Sequence, residues 1–168
     1  MNSPFTVFKA AKEDKDKIFE LHREMFRHEI EERWGWDEQW QKENFEEEWK
    51  RDVFEVIRHQ NQVIGYTQFT KENDKIYIQS IGLIPDFRNQ GLGTMLLERI
   101  QKKAQELGVE VELSVHSKNK VALKLYEKFD FVVIDSDDHS VSMKLKHECM
   151  TRRSGRTTSR SASRNPTT

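Results

Sequence analysis

The chain carries a single cysteine, Cys149, in 168 residues. One thiol excludes an internal disulfide framework and fits a reducing, cytoplasmic setting. Long apolar runs are missing as well. No stretch reaches the roughly 18 apolar residues that a membrane-crossing helix needs. The opening MNSPFTVFKAAKEDKDK lacks the apolar segment of a secretory leader. No internal repeat is present. Ligand spacing for a metal is also lacking: His22, His28, His59, His116, His139 and His147 are scattered, so no metal is expected. There is no Gly-Lys-Ser/Thr phosphate loop. The three-glycine dinucleotide fingerprint fails too, because Leu96 stands at the third glycine position.

Charge is abundant but unevenly placed. Hydrophobic residues make up 35% and charged residues 34%, which describes a polar, soluble chain with one core built from periodic apolar clusters. Residues 29–48 hold nine acids against Arg33 and Lys42. Such a stretch attracts cationic partners and repels nucleic acid, or is simply a solvated helix face. Arg152, Arg153, Arg156, Arg160 and Arg164 lie in a Ser/Thr-rich tail without any acid. That composition predicts disorder over 149–168, after a domain spanning 1–148. Only this tail offers nucleic acid a surface.

Periodicity predicts strands at 5–9, 53–58, 63–70 and 75–84, and helices at 13–30 and 34–51. Trp40, Phe45 and Trp49 mark the apolar side of the second helix. A helix follows at 91–107, with Leu92, Met95, Leu96, Ile100, Ala104 and Leu107 on one face and Gly108 at its end. Val109, Val111, Leu113 and Val115 alternate as in a half-buried strand. Asn119 suits the N-cap of a short helix over 119–128. Strands at 131–134 and 140–145 complete the pattern.

The segment Arg88-Asn89-Gln90-Gly91-Leu92-Gly93 carries the chemistry. It joins a strand to a helix whose first turn holds two glycines. The first N–H groups of a helix have no partner within it. Glycine lets a ligand approach them, and the helix end favours a pyrophosphate. Thr94 adds a hydroxyl and Arg88 a permanent cation. In the preceding strand, apolar residues move from even positions (Ile76, Ile78) to odd ones (Ile81, Leu83) near Ser80. Either a β-bulge separates this strand from the one over 109–116, or the strand is buried on both faces.

Together, IGLIPDFRNQGLGTMLLERIQKKAQELG and LSVHSKNKVALKLYEKFDF resemble the core motifs of the GCN5-related N-acetyltransferases (GNAT). Arg88, Gly91 and Gly93 match the motif Arg/Gln-x-x-Gly-x-Gly/Ala. Asn119, Ala122, Leu125, Tyr126, Glu127 and Phe131 match Asn-x-x-Ala-x-x-Leu-Tyr-Glu-x-x-Gly-Phe. The resemblance implies an α/β fold, with a mixed, mostly antiparallel sheet of about six or seven strands flanked by about four helices. It also implies acetyl-CoA as acyl donor, an amine of a small molecule or peptide as acceptor, and the homodimers common in the family.

By the same resemblance, backbone groups of Ile81, Gly82 and Leu83 bind the acetyl carbonyl and the pantetheine arm. The backbone of Arg88, Asn89, Gln90, Gly91, Leu92, Gly93 and Thr94 holds the pyrophosphate. Asn119 contacts the cofactor, and Tyr126 protonates the departing thiolate. Two positions depart from the pattern. Asp130 replaces the glycine before the last Phe, a position where Asp tolerates a left-handed backbone. Ser114 stands where some members carry a catalytic glutamate, so the base must be another group. His116 is on the same strand face and has a suitable ordinary pKa. Glu29, Glu31, Glu32, Asp37 and Glu38 are further candidates, as are water relays. On the acceptor side, Trp34 and Trp36 offer ring faces to a cation, with Asp37 or Glu38 as counter-charge. The same tryptophans also suit plain packing. An acetyl-CoA-binding module without turnover is the alternative that the missing glutamate keeps open.

Overall fold

A computed structural model describes residues 4–145. The tail expected to be disordered, with Cys149, lies outside the described residues. The described chain forms strands β1 (Phe5–Lys9), β2 (Val53–His59), β3 (Gln62–Lys71), β4 (Lys75–Leu83), β5 (Glu110–His116), β6 (Phe131–Ser136) and β7 (Ser140–Leu145). Its helices are α1 (Lys15–Trp34), α2 (Glu38–Arg51), α3 (Leu92–Leu107) and α4 (Lys120–Lys128). Two compact units divide these elements. One comprises residues 4–71 with 78–92, the other residues 72–77 with 93–145. No helix among the described residues is long and apolar enough to cross a membrane.

In the first unit the strands run in the order β1-β2-β3-β4, with β1 and β3 each antiparallel to β2. Gln60 (φ 49°) and Asn61 (φ 66°) turn β2 into β3, the left-handed pair that a two-residue hairpin demands. Ile18, Phe19 and Leu21 of α1 pack with Phe45, Phe54, Val56, Val63 and Tyr66. Helix α1 continues past residue 30 and stops only at Gly35 (φ 78°), whose N–H reaches the Glu31 carbonyl at 3.0 Å. Helix α2 therefore starts at Glu38 rather than 34, where the Asp37 carboxylate accepts the Trp40 N–H at 2.9 Å. The inward stripe of α2 is Gln41, Phe45 and Trp49, spaced i, i+4, i+8. Trp40 falls one position off it and is 57% exposed, contrary to the sequence expectation.

β3 and β4 approach closely at two glycines. A Cβ on Gly65 would stand 2.3 Å from the Gly82 carbonyl oxygen. A Cβ on Gly82 would meet Met25 Sδ of α1 at 2.3 Å. Along β4, Ile76, Ile78 and Gly82 are buried while Ile81 and Leu83 are half-buried. Burial thus keeps its even phase through Ser80. The odd apolar residues Ile81 and Leu83 are only half-buried, and Ser80 and Ile81 are both half-buried where the sequence pattern shifts.

In the second unit β7 lies between β5 and β6 and is antiparallel to both. Val111, Leu113 and Val115 alternate inward as expected. Helix α3 buries Leu96, Leu97, Ile100 and Ala104. It closes with Gly108 (φ 67°) and a Val109 N–H bond to the Ala104 carbonyl at 3.0 Å, the geometry of a Schellman end. Leu107, expected on the buried face, is 51% exposed because the helix ends there. Asp130 (φ 66°) takes the left-handed position at the end of α4.

Candidate functional site

The turn before α3 is built from the local bonds of the first unit. Arg88 Nε donates to the Leu83 carbonyl at 2.8 Å, and Gln90 Nε2 donates to the Asp86 carbonyl at 2.9 Å. These two side chains brace the turn from outside. Asn89 (φ 62°) and Gly91 (φ 81°) reverse the backbone twice before α3 begins at Leu92. Nothing lies within 4 Å of where a Gly91 Cβ would be. The Cβ side of Gly91 is therefore open space, while the Leu92 side chain is buried.

In the second unit, Gly93 lies against α4: its Cβ would stand 3.1 Å from Leu125 Cδ2. Thr94 follows half-buried. Asn119 caps α4 by accepting the Ala122 N–H at 3.1 Å through Oδ1. That bond engages the carboxamide oxygen of an otherwise exposed side chain. Tyr126, half-buried, meets Phe131 edge-on at 5.7 Å. Burial pushes its phenol up to about 12. Burial raises the phenol of Tyr77, a residue that sequence reasoning missed, and Ser114 acts against that rise.

His116 is differently disposed from a free base. Its Nδ1 accepts the Lys118 N–H at 3.2 Å and its carbonyl accepts the Asn119 N–H at 2.9 Å. Nδ1 is therefore engaged within the turn, and Nε2 is the ring nitrogen that this bond leaves to other partners. His116 thus shapes the β5–α4 turn that presents Asn119.

The acidic-aromatic segment is engaged internally. The Arg33 guanidinium covers the Trp34 ring at 4.1 Å and Arg27 lies over Trp36 at 5.3 Å. Trp36 Nε1 donates to Glu38 at 2.8 Å, and Arg23 also pairs with Glu38. The Trp36 bond, with Arg23 beside it, holds the Glu38 carboxyl below its usual range. Glu31 and Glu32 pair with Arg27 and His28 on α1. The cation expected over the tryptophans is supplied by the chain's own arginines, a relation that sequence spacing alone does not reveal. Trp34 remains 70% exposed, so it does not act as core packing.

A polar cluster that residue spacing does not reveal involves His22 of α1 and Tyr66 of β3. His22 Nδ1 is 3.3 Å from Tyr66 Oη. Gln41 and the Glu48 charge oppose the effect of burial on His22, and Ser80 opposes it on Tyr66. Burial is the largest influence on both rings, lowering the imidazole and raising the phenol. No group of three or more His, Cys, Asp or Glu among the described residues is placed to hold a metal ion.

Comparison with known proteins places this geometry in context. A probable N-acetyltransferase, san, of Drosophila melanogaster is 30% identical over 71 residues, 41% of this chain and 39% of that protein. The chain thus spans well under two thirds of that curated relative. The structure of PaiA N-acetyltransferase from Thermoplasma acidophilum, in complex with coenzyme A, superposes with a TM-score of 0.68 at 21% identity, covering 88% of this chain and 100% of that one. The spermidine/spermine N-acetyltransferase SpeG from Vibrio cholerae gives 0.69 at 17% identity, covering 92% and 100%. These likenesses show the fold, a mixed α/β sheet flanked by helices. The profile of the Acetyltransferase (GNAT) family matches residues 15–131, most of the described chain, and the chain belongs to that family.

Proposed function

We propose that the protein is an N-acetyltransferase that moves an acetyl group from acetyl-CoA to a primary amine by direct attack on the thioester. The observation that carries this reading is the turn from Arg88 to Leu92. Positive φ at Asn89 and Gly91, an open Cβ position at Gly91 and a helix start at Leu92 favour a close approach to the backbone that follows Arg88, whose own N–H bonds the Pro85 carbonyl. That is the chemistry a diphosphate requires. Coenzyme A is bound in the PaiA structure, which supports the same donor here.

In this reading the backbone of Arg88 through Thr94 holds the diphosphate, with the amides after Arg88 as donors because the Arg88 N–H bonds the Pro85 carbonyl, and Asn119 contacts the cofactor. The Leu83 N–H polarises the thioester carbonyl, while Ile81 and Gly82 carry the pantetheine arm. The Leu83 carbonyl already accepts from Arg88, which couples the acyl strand to the diphosphate turn. Orientation of amine against thioester supplies most of the rate. Tyr126 hydrogen-bonds the departing thiolate. With its phenol near 12 against a thiol of about 8.5, complete proton transfer is uphill by about 5 kcal/mol. Tyr126 therefore acts as a donor to the developing charge rather than as a full acid.

The acceptor reading is narrower. SpeG acts on spermidine and spermine by its name, and a polyamine suits the acids of residues 29–48. An acetyl-CoA-binding module without turnover is the second reading, favoured by Ser114 at the glutamate position and by the engaged Nδ1 of His116. Incubating the protein with acetyl-CoA and spermidine, lysine or an unblocked peptide, and following free thiol, separates the two. Thiol release that depends on an amine supports the enzyme. Binding of acetyl-CoA by calorimetry without release on any amine supports the module. Absence of binding at millimolar concentration overturns both.

A further inference from the structure

The turn that precedes α3 leaves the sheet at a fixed point and then runs exposed. The Ile84 N–H bonds the Ile64 carbonyl at 2.9 Å, which ties the end of β4 to β3. The chain is buried again at Leu92. Between them, over residues 85–91, every side chain is exposed except Phe87, which is half-buried. The backbone bonds of this stretch are local. The Phe87 N–H reaches the Ile84 carbonyl at 3.0 Å, and the Arg88 N–H reaches the Pro85 carbonyl at 3.2 Å. The side chains of Arg88 and Gln90 likewise reach back to the carbonyls of Leu83 and Asp86. These bonds tie the turn to itself and to the end of β4. They do not fix it against the rest of the sheet.

The Phe87 ring supplies that fixing contact. It meets Phe5 of β1 edge-on, with ring centroids 6.1 Å apart and planes at 90°. It meets the His59 ring of β2 at 5.2 Å and 55°. Phe5 and His59 are themselves partners across β1 and β2, with ring centroids 5.1 Å apart. The three rings therefore close a triangle, at separations that aromatic pairs favour. His59 Nδ1 lies 3.3 Å from the Pro4 carbonyl oxygen. A carbonyl can only accept, so Nδ1 carries a proton and the bond orients the ring. These residues all belong to the first unit. The rings are half-buried and stand outside its buried core, at the first residue of β1 and the last of β2. Their place is therefore poor for core packing, and what they hold is the turn that carries Asn89 and Gly91.

We propose that Phe5, His59 and Phe87 are positioning residues for the cofactor: their rings hold the turn over 88–92 in its diphosphate-binding shape before coenzyme A arrives. This rests on the reading above that the turn receives the diphosphate. Asn89 (φ 62°) is left-handed without being glycine, a conformation that persists where its surroundings hold it. An exposed turn left to itself samples other shapes, and ordering it on binding is subtracted from affinity. The ring triangle orders it during folding instead. The three residues act through the turn and not on the reacting atoms.

The test uses the full chain and calorimetry with two ligands: acetyl-CoA, and phosphoadenosine diphosphate, the half of the cofactor that carries the diphosphate. The proteins are wild type, Phe87→Ala, His59→Ala, the double variant and Phe87→Tyr. Positioning predicts that Phe87→Ala weakens both ligands by the same factor, about tenfold, the scale of one or two aromatic pairs. His59→Ala should weaken both to a lesser degree. The double variant should add little to Phe87→Ala, because both changes open one triangle. Phe87→Tyr keeps the ring and should restore affinity. His59→Ala removes a half-buried side chain at a strand end, so it decides the matter if Phe87→Ala fails to fold. Unchanged affinity with a lower melting temperature overturns the proposal, since the rings would then serve stability alone. Weaker acetyl-CoA with full affinity for the nucleotide half also overturns it, since the effect would then lie on the acyl strand. Wild type that binds neither ligand at millimolar concentration overturns the proposed function, and the positioning role falls with it. Binding is common to the enzyme and the module, so the outcome does not depend on turnover.

Discussion

His22 Nδ1 stands 3.3 Å from Tyr66 Oη beneath the first helix, and that contact joins α1 to the centre of the sheet formed by β1 to β4. Its polarity gives the protein a definite response to acid. Burial lowers the His22 pKa in the folded state below its ordinary value of 6.5. Between the lowered and the ordinary value the unfolded chain binds the extra proton, so stability falls as pH drops through that window. Urea midpoints measured from pH 8 to pH 5 should decline, starting near pH 6.5, before carboxylates such as Asp52 begin to titrate. His22→Gln should remove this part of the decline. An identical slope in the variant would show that His22 is not its source.

The second prediction concerns Gly91. Its φ of 81° suits glycine, while the space around its Cβ position is empty. Gly91→Ala therefore meets no clash and costs only the left-handed backbone, about 1–2 kcal/mol. If the turn relaxes to avoid that cost, the amides lose alignment. Acetyl-CoA should bind about tenfold more weakly by calorimetry, with a small drop in melting temperature. Unchanged affinity would mean that the diphosphate lies elsewhere.

Residue types and spacing made the strands, the motif turn and the cap at Asn119 legible, because each is a local relation. Asp130 was legible for the same reason: its left-handed φ of 66° answers to its own neighbours in sequence. Tertiary relations were not. Trp40 and Gln41 are adjacent, and hydropathy assigns the tryptophan inward. The structure turns Gln41 inward, on the i, i+4, i+8 stripe with Phe45 and Trp49, and leaves Trp40 exposed. Trp34 and Trp36 read as a cation site, yet Arg33 and Arg27 already lie over them. His116 read as a base, yet its Nδ1 holds the Lys118 N–H. The last two differences arise from partners that spacing cannot name.

Gly65 gives a third prediction. Its Cβ would approach the Gly82 carbonyl oxygen to 2.3 Å and the Leu83 Cα to 3.2 Å. Both atoms are backbone, so neither can rotate away. Gly65→Ala must part β3 from β4, and overpacking of this kind costs about 1–3 kcal/mol. The denaturation midpoint should fall accordingly, and acetyl-CoA affinity with it, since Gly82 and Leu83 are displaced. Loss of stability with full affinity would separate the acyl strand from cofactor binding.

Tyr126 provides the fourth. Its phenol, raised to about 12 by burial, remains protonated throughout the working range. A basic limb in the rate below pH 10 therefore cannot come from Tyr126 ionising. Tyr126→Phe keeps the edge-on contact with Phe131, so folding and acetyl-CoA affinity should hold. Turnover should fall by about 10- to 100-fold, because one hydrogen bond to the developing thiolate is lost. The fall should be the same at pH 7 and pH 9, because the phenol stays protonated at both. A thioester with a more acidic thiol needs that hydrogen bond less. Replacing acetyl-CoA with such a donor should narrow the gap between variant and wild type. A gap of constant size would place Tyr126 away from the leaving sulfur.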